Sequence, residues 1–228
     1  MYIPLTRIQK LIGERMAKSK QSKPCFYIES KADVTELMAL RPRLSKSLGV
    51  KITSNAFFIR ALALGAKKYP IMVGSFEPRV TSHEPQIRIA DAINIGFPVH
   101  APQGLVVPVI KNADQKTLAQ IAQLEKLFTE KARSKKLTLE EMEGQTIGLS
   151  NLGVYGIDSF FAIPAPVAST ILAIGNVLKT VVPENQKMSV RRIISLSLAV
   201  DHRITDGGYA AKFLSFIKEQ LQNPQQLI

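Results

Sequence analysis

The residues best suited to acid–base chemistry follow the last apolar strand that the sequence predicts. Residues 194–200 are apolar at every second position, and alternate residues of a strand share one face. His202 is the next residue on that face, and Asp206 follows four positions later, before two glycines that permit a sharp turn. Because imidazole changes charge near neutral pH, a histidine at this place is suited to taking up and releasing a proton.

A structural explanation of the same residues is equally open. Spacing alone does not separate a catalytic histidine from a hydrogen-bonded structural one, and Asp206 could simply cap the next helix. His83 and His100 lie in predicted loops without an adjacent partner, so we expect surface roles for both. Three scattered histidines without clustered carboxylates predict no metal site.

A second candidate is Ser150, which closes a predicted strand and opens the turn SNLGVYG at 150–156. The turn is not the G-x-S-x-G elbow of serine hydrolases, because Leu152 stands where the second glycine belongs. A nucleophilic serine therefore has weak support, and a hydroxyl that donates to a developing oxyanion fits as well. From the residues alone, a structural turn serine is favoured over both.

The predicted elements that position these residues alternate between helices and strands. Apolar spacing and capping residues predict one α/β domain over 1–228, with a central mixed sheet flanked by helices. The predicted helices are a first amphipathic helix of about four turns around 8–16, then 35–47, 54–68, 118–133, a short one from 138, and 207–222. The predicted strands are 26–34, pieces around Ile71, Ile87 and Ile93, then 105–109, 146–150, 170–174 and 192–200.

Composition limits the classes of function. The sequence has 30 Lys and Arg against 18 Asp and Glu, a net charge of +12 that attracts anions such as nucleic acid, a phosphorylated cofactor or an acidic protein. The basic residues are spread along the chain, and without tryptophan or a zinc-finger spacing we expect no nucleic-acid partner. No apolar run approaches the ~20 residues of a membrane helix, so we expect no membrane span. A single cysteine, Cys25, excludes an internal disulfide and fits a reducing compartment.

Five motifs, in order along the chain, resemble those of one family, the catalytic core domains of the dihydrolipoyl acyltransferases of 2-oxo acid dehydrogenase complexes. The resemblance extends from Ile3 to the C-terminus, and the last motif matches the family signature D-H-R-x-x-D-G. The matching stretches are IPLT at 3–6 with ERM at 14–16, PCFY at 24–27, GLVVPVIKNAD at 104–114, SNLG at 150–153 and DHRITDG at 201–207.

This resemblance implies a fold like that of chloramphenicol acetyltransferase, forming a trimer with active-site channels between subunits. Coenzyme A would enter a channel from one end and the dihydrolipoyl arm from the other. The resemblance implies that His202 is the base that deprotonates the attacking thiol, that Asp206 is its partner at the turn, and that Ser150 stabilises the tetrahedral intermediate. The implied coenzyme A contacts are Arg41, Thr53, Ser150, Asn151 and Gly175.

The family also implies partners. Its trimers build a cubic or icosahedral core, and we expect the apolar residues at the C-terminus, 221–228, to dock onto a neighbouring trimer. Lipoyl and peripheral-subunit-binding domains usually precede this core and are not in this chain, so a lipoyl domain from elsewhere would deliver the lipoyl group. The expected location is the cytoplasm, or the mitochondrial matrix in a eukaryote.

Two departures bear on the chemistry. Cys25 stands where many relatives have histidine, outside the signature motif. Gly208 stands where succinyl-transferring relatives often have arginine, so we expect an acetyl group, as in the pyruvate dehydrogenase complex, with branched-chain or succinyl transfer as alternatives. A non-catalytic core component and an antibiotic-modifying acetyltransferase are the rival functions. The first typically lacks the motif histidine or aspartate, and this sequence keeps both.

Overall fold

A mixed sheet with helices packed against it dominates the computed structural model, which describes residues 1–78, 84–102, 104–184 and 186–228. The helices are α1 Arg7–Ser22, α2 Thr35–Leu48, α3 Ser54–Lys68, α4 Leu118–Arg133 and α5 Gly207–Gln222. The strands are β1 Cys25–Asp33, β2 Gly74–Glu77, β3 Gln86–Ile89, β4 Ile95–Gly96, β5 Val99–Ala101, β6 Gly104–Val106, β7 Val109–Ile110, β8 Ile147–Asn151, β9 Thr170–Ile174, β10 Leu178–Glu184 and β11 Lys187–Asp201.

The directions of the strands decide where the candidate residues lie. In the described part of the chain, the main sheet has the order β1-β11-β9-β8-β4-β7, and β10 pairs with the first half of β11. Strand β11 is antiparallel to β1 and β9, whereas β8 is parallel to β9. Strands β8 and β11 therefore run in opposite directions, and their C-terminal ends lie at opposite ends of the sheet.

The core lies between this sheet and helices α3, α4 and α5. The apolar residues that alternate along β11 are fully or almost fully buried, as the period-two pattern predicts, and α5 packs on both β1 and α3. Burying each large apolar side chain contributes about 1.5–3 kcal/mol, so this face fixes the position of β11 and of the turn that follows it. The buried residues of the β11 face are Ile194, Leu196, Leu198 and Val200.

Local signals predicted the helices well. Thr53 caps α3 by accepting a hydrogen bond from the Ala56 N–H at 3.0 Å, and Pro70 follows the end of this helix, as predicted. Helices α4 and α5 have the predicted bounds. The short helix predicted from 138 is a 3₁₀ helix at Glu140–Met142, and Thr138 and Glu141 exchange two hydrogen bonds at its start. Helix α2 continues through Pro42 to Leu48.

Several predicted strands are wrong. Ile71 lies in the 3₁₀ helix Pro70–Val73, and Ile93 precedes β4 rather than lying in a strand. The predicted strand at 105–109 is divided into β6 and β7 because Pro108, which has no N–H, separates them. Strand β10 was missed, because its side chains are mostly exposed and carry no alternating pattern. His100 lies in β5 and is exposed, whereas His83 lies outside the described residues.

The C-terminal segment corrects one expectation in part. Leu221 and Leu227 are fully buried in the chain's own core, because the 3₁₀ helix Pro224–Leu227 folds back against α3 and α5. They are therefore not free to dock onto another copy. Ile228 is 53% exposed and remains accessible.

The chain leaves much apolar surface uncovered. Its accessible surface is 12998 Å², whereas a monomeric globular protein of 25.2 kDa exposes about 10,000 Å². Helix α1 forms as predicted, but Ile8 and Leu11 on its apolar face are exposed, as are Val154 and Val167 in the long connection between β8 and β9. Such surface is typical of subunits that associate. Within the described ranges, no helix combines the length and apolarity needed to cross a membrane.

Candidate active site

His202 lies in the turn directly after β11, as the register of the strand predicts. Its side chain is exposed, and its backbone N–H donates to the carbonyl oxygen of Pro24 at 3.0 Å. The imidazole ring lies against the ring of Phe26, with 4.8 Å between the centroids. The start of β1 thus supports the histidine from one side and leaves its ring accessible from the other.

An ion pair between Asp201 and Arg203 stabilises the turn that carries His202. Asp201 is fully buried and accepts hydrogen bonds from the Arg203 guanidinium, at 3.0 Å to Oδ1 and 2.6 Å to Oδ2. It also accepts from the Arg203 backbone N–H at 3.1 Å, and these bonds raise the pKa of Arg203. The guanidinium lies over the ring of Phe76 at 4.4 Å. This pair was missed from the sequence, although charged residues on both sides of the histidine were a visible signal.

Asp206 caps helix α5. Its carboxylate accepts a hydrogen bond from the Tyr209 N–H at 2.9 Å, at the first turn of the helix. Across the described residues, no hydrogen bond joins Asp206 to His202. The structure therefore gives Asp206 the capping role that the sequence left open. Its predicted role as the partner of His202 stays a prediction.

A buried ammonium group fixes the neighbouring chain segment. Lys23 Nζ donates to the carbonyl oxygens of Ala165 at 2.6 Å, Pro166 at 3.0 Å and Ala168 at 2.8 Å. Burial lowers the pKa of Lys23 to about 8. Because Lys23 immediately precedes Pro24, it joins this segment to the base of the His202 turn. No sequence pattern predicts this contact, since the partners of Lys23 lie more than 140 residues away.

Cys25 is not suited to nucleophilic chemistry. Burial, and secondarily the nearby Asp201 carboxylate, raise the pKa of its thiol. A thiol with a raised pKa stays protonated near neutral pH, and only the thiolate is an effective nucleophile.

Ser150 lies near the C-terminal end of β8, opposite Ala173 in β9, and is partly buried. Its hydroxyl has no hydrogen-bond partner among the residues that the structure describes. The next residue, Asn151, accepts from the Gly153 N–H at 3.0 Å and donates to the Asn55 side chain at 3.4 Å. The Ser150 hydroxyl is therefore free to donate to a substrate. The side-chain amide of Asn151 stabilises the turn beside it.

Two of the predicted coenzyme A contacts, Thr53 and Asn151, lie near this end of β8. Thr53 lies at the start of α3, whose Asn55 contacts Asn151. Helix α2, which carries Arg41, lies beside the segment before α3, because the Ser45 hydroxyl donates to the Arg41 carbonyl at 3.0 Å and accepts from the Ile52 N–H at 3.0 Å. The Nε of Arg41 is buried without a hydrogen-bond partner in the described part of the chain.

Gly175 has a structural reason to be glycine. A Cβ atom there would lie 1.9 Å from the carbonyl oxygen of Asp158, and one on Gly153 would lie 2.3 Å from the carbonyl oxygen of Gly175. The turn after β8 and the end of β9 therefore approach so closely that neither position can carry a side chain. This closeness places Gly175 beside the Ser150 turn.

The structure does not bring His202 and Ser150 of one chain together. Ser150 pairs with Ala173, which pairs in turn with Ser197, so His202 lies two strands away and five residues further along β11. These offsets correspond to about 10 Å across the sheet and about 17 Å along it. Groups that act on one tetrahedral centre must lie within a few ångströms of each other, so the His202 and Ser150 of one copy cannot act on the same centre.

The strand order and helix placement define a chloramphenicol acetyltransferase-like acyltransferase fold. A chloramphenicol acetyltransferase structure matches 91% of this chain and 94% of its own, with a TM-score of 0.53 and 13% identity. More specifically, the chain belongs to the family described as 2-oxoacid dehydrogenases acyltransferase (catalytic domain), whose model matches residues 1–228. The family and fold inferred from the motifs are therefore confirmed.

Relatives within the family are similar over nearly all of the chain. The dihydrolipoyllysine-residue acetyltransferase component of the pyruvate dehydrogenase complex from Rickettsia bellii is 34% identical over 229 residues, which cover 99% of this chain and 53% of the relative. The mitochondrial counterpart from Schizosaccharomyces pombe is 32% identical, covering 99% of this chain and 47% of the relative. The chain thus spans about half the length of these relatives.

Solved structures agree closely with the fold. A probable dihydrolipoamide acetyltransferase from Listeria monocytogenes superposes with a TM-score of 0.90 at 32% identity, covering 98% of this chain and 94% of that one. The dihydrolipoamide acetyltransferase of Azotobacter vinelandii gives a TM-score of 0.91 at 31% identity, covering 100% and 93%.

Proposed function

We propose that residues 1–228 form a single catalytic domain that transfers an acetyl group between a dihydrolipoyl thioester and coenzyme A. The observation that carries this proposal is the exposed imidazole of His202 in the family's signature motif, held in place by the Asp201–Arg203 pair. The whole protein would act in a 2-oxo acid dehydrogenase complex, and the pyruvate dehydrogenase complex fits the relatives best.

The spacing of the candidate residues supports their roles. The Azotobacter structure comes from an investigation of a serine, a histidine and an asparagine in the catalytic mechanism of that enzyme. There, 52 positions separate the serine from the histidine and four separate the histidine from the asparagine. The same intervals separate Ser150, His202 and Asp206. By these intervals the asparagine of that enzyme corresponds to the helix-capping Asp206, which supports a role for this position that does not depend on a negative charge.

The mechanism begins with proton transfer from a thiol. A thiol with a pKa of about 8.5 is mostly protonated near neutral pH, so the neutral imidazole of His202 accepts its proton as the coenzyme A sulfur attacks the thioester carbonyl. The free hydroxyl of Ser150 donates to the oxyanion that forms. One such donor contributes about 2.7–4 kcal/mol in other enzymes. Collapse of the intermediate expels the dihydrolipoyl thiolate, which takes the proton back from the imidazolium.

A complete site needs two copies of the chain. His202 from one copy and Ser150 from the next would meet across a head-to-tail interface, which closes into a ring. The separation of these residues within one chain and the uncovered apolar faces, including α1, support a trimer. We propose that trimers assemble further into a cubic or icosahedral core, with the exposed Ile228 at contacts between trimers.

The residues near Ser150 fit coenzyme A. The Arg41 guanidinium carries a buried Nε that no described residue satisfies, and a phosphate is the anion such a group prefers. Thr53, Asn151 and the backbone at Gly175 add polar contacts near Ser150. The net charge of +12 favours the same ligand, and acidic lipoyl domains as partners. The lipoyl group would come from a lipoyl domain outside this chain, in the bacterial cytoplasm or the mitochondrial matrix.

One experiment tests both the activity and the acyl group. The protein is assayed with dihydrolipoamide and, in separate reactions, acetyl-, isobutyryl- and succinyl-CoA. We expect the highest kcat/KM with acetyl-CoA, because Gly208 offers no cation to bind a succinyl carboxylate. Absence of turnover with all three would instead favour the second candidate function, a non-catalytic component of the core.

A further inference from the structure

Hydrogen bonds link the carboxylate of Glu125, far from His202 in the sequence, to the turn beside Ser150. We propose that Glu125 is a positioning residue that acts through Asn55 and Asn151 to hold this turn in the conformation needed for oxyanion stabilisation. The inference rests on the proposed acyl transfer, because it assigns a role to a residue behind that site. It concerns a group in the middle of α4 that none of the sequence motifs contains.

The contacts of Glu125 form a continuous relay. Glu125 Oε1 accepts from Asn55 Nδ2 at 3.1 Å, and Asn55 Oδ1 accepts from Asn151 Nδ2 at 3.4 Å. Asn151 Oδ1 accepts from the Gly153 N–H at 3.0 Å. Three consecutive hydrogen bonds thus join helix α4, the start of α3 and the turn after β8. Ser150 directly precedes Asn151, whose side-chain amide makes the last of these bonds.

The direction of the relay is fixed at one end. The Gly153 backbone N–H can only donate, so Asn151 must present its oxygen to Gly153 and its nitrogen to Asn55. Asn55 must then turn its own nitrogen toward position 125. Position 125 therefore has to accept a hydrogen bond. A carboxylate does so with either oxygen, and the amide oxygen of glutamine can do so as well.

The second oxygen of Glu125 is also used. Thr53 Oγ1 donates to Oε2 at 2.5 Å while it accepts from the Ala56 N–H at 3.0 Å. The Thr53 hydroxyl has one proton, and it is donated to Glu125. A ligand can therefore bind this hydroxyl only by donating a hydrogen bond to its oxygen. An amide N–H of coenzyme A satisfies this requirement, whereas a phosphate does not.

The carboxylate is costly to place here, which argues against a role in packing alone. Burial raises the pKa of Glu125, and the hydrogen bonds from Thr53 and Asn55 counteract this effect. No basic side chain contributes to its pKa. The side chain is half-buried, and a leucine could supply the same packing on α4, but it would leave Thr53 and Asn55 without their acceptor.

This contrast defines the variants. Glu125→Leu removes the acceptor but suits a helix and a buried position, whereas Glu125→Gln keeps one oxygen for Asn55. Asn55→Ala breaks the relay one step later without changing α4. Glu130→Gln is the matched control, because Glu130 lies on the same helix and its exposed carboxylate meets, among the described residues, only Lys126, at 3.9 Å.

We expect Glu125→Leu and Asn55→Ala to lower kcat about 5–30-fold, the effect of one or two kcal/mol in positioning energy. Circular dichroism should show that the Leu variant remains folded, Glu125→Gln should retain most of the turnover, and Glu130→Gln should match wild type. The double variant should be no worse than the poorer single one, because both changes break one relay. A wild-type kcat in folded Glu125→Leu, or additive losses in the double variant, would overturn the inference.

Hydrogen–deuterium exchange gives a readout that does not depend on activity. The peptide covering residues 150–156 contains the Gly153 amide that ends the relay. We expect faster exchange of this peptide in Glu125→Leu and Asn55→Ala, and no change in Glu125→Gln or Glu130→Gln. Should the wild-type protein lack acyltransferase activity, the proposed function fails, yet this experiment still tests the relay. Equal exchange in all the variants would overturn the relay even in an active enzyme.

Discussion

Ser150 and His202 lie at opposite ends of the central sheet, because the strands that carry them, β8 and β11, run in opposite directions. The two residues can come together only between two copies, when the Ser150 end of one sheet lies against the His202 end of the other. Ser150 and His202 therefore belong to different surfaces of one subunit.

Removing the imidazole should abolish most of the turnover without changing the assembly. We expect His202→Ala to lower kcat by about 10²–10⁴, the usual contribution of general acid–base catalysis. The side chain is exposed and contacts Phe26 through its ring, so the fold should persist. Steady-state assays with dihydrolipoamide, together with light scattering, check both points. Near-normal turnover in this variant would falsify the assignment of the base.

Removing the hydroxyl should affect the transition state more than substrate binding. We expect Ser150→Ala to lower kcat about 10²–10³-fold with little change in KM for coenzyme A, because an oxyanion donor acts when charge develops. The hydroxyl has no partner in the described residues, so its loss should cost little stability. A rise in KM alone would identify Ser150 as a coenzyme A contact instead.

The helix cap at Asp206 predicts a difference between two substitutions. Asparagine caps helices as well as aspartate, so Asp206→Asn should retain stability and most activity. Asp206→Ala removes the acceptor of the Tyr209 N–H and should destabilise the protein by about 0.5–2 kcal/mol. Denaturant unfolding and steady-state kinetics of both variants check this prediction. If Asp206→Asn lost activity while remaining as stable as wild type, the negative charge itself would be required at His202.

Burial of Glu125 predicts a pH dependence of stability. The pKa of this carboxyl is raised above its ordinary value of 4.5, so the folded protein binds the proton more tightly than the unfolded chain. Its stabilising contribution is therefore full below the unfolded pKa and is lost as pH rises through the folded pKa. As the pH rises above the ordinary carboxyl pKa of 4.5, we expect the free energy of unfolding of Glu125→Gln to increase relative to that of wild type. Denaturant titrations at several pH values measure the two free energies of unfolding. The prediction would be contradicted if wild type became more stable relative to Glu125→Gln as the pH rose.

The sequence predicted what local signals determine. The bounds of α3, α4 and α5 follow from their capping residues and from the prolines after α3 and α5, which act within a few residues. The alternating pattern of β11 fixed the face of the strand and hence the position of His202 beyond its end. The chemistry of the candidate residues was therefore accessible without a structure.

What the sequence did not show depends on contacts between distant segments. Lys23 meets carbonyl groups more than 140 residues away, and Glu125 meets Thr53 across 72 residues, so neither contact leaves a spacing pattern. The separation of Ser150 from His202 depends on the order and direction of three strands, which no single segment encodes. The Asp201–Arg203 pair is the exception, because its two residues are local and only their function was overlooked.

The shared site makes a prediction that no single-chain site can fulfil. His202→Ala and Ser150→Ala chains are unfolded together in equal amounts and refolded as mixed trimers. In a head-to-tail ring, each interface joins the serine of one chain to the histidine of the next. The His202→Ala chain keeps Ser150, and the Ser150→Ala chain keeps His202. An interface that joins these two intact residues contains a wild-type active site.

Every mixed ring contains one such interface, whichever variant is present twice. With random assembly, about a quarter of all sites should be wild type, so activity should rise to about a quarter of the wild-type value from two nearly inactive parents. Refolding each variant alone is the control, and mass spectrometry of the intact trimers shows that subunits have mixed. If Ser150 and His202 acted within one chain, no mixed trimer would contain an intact site. Activity that stayed at the parental level despite proven mixing would therefore place both residues of the site in a single subunit.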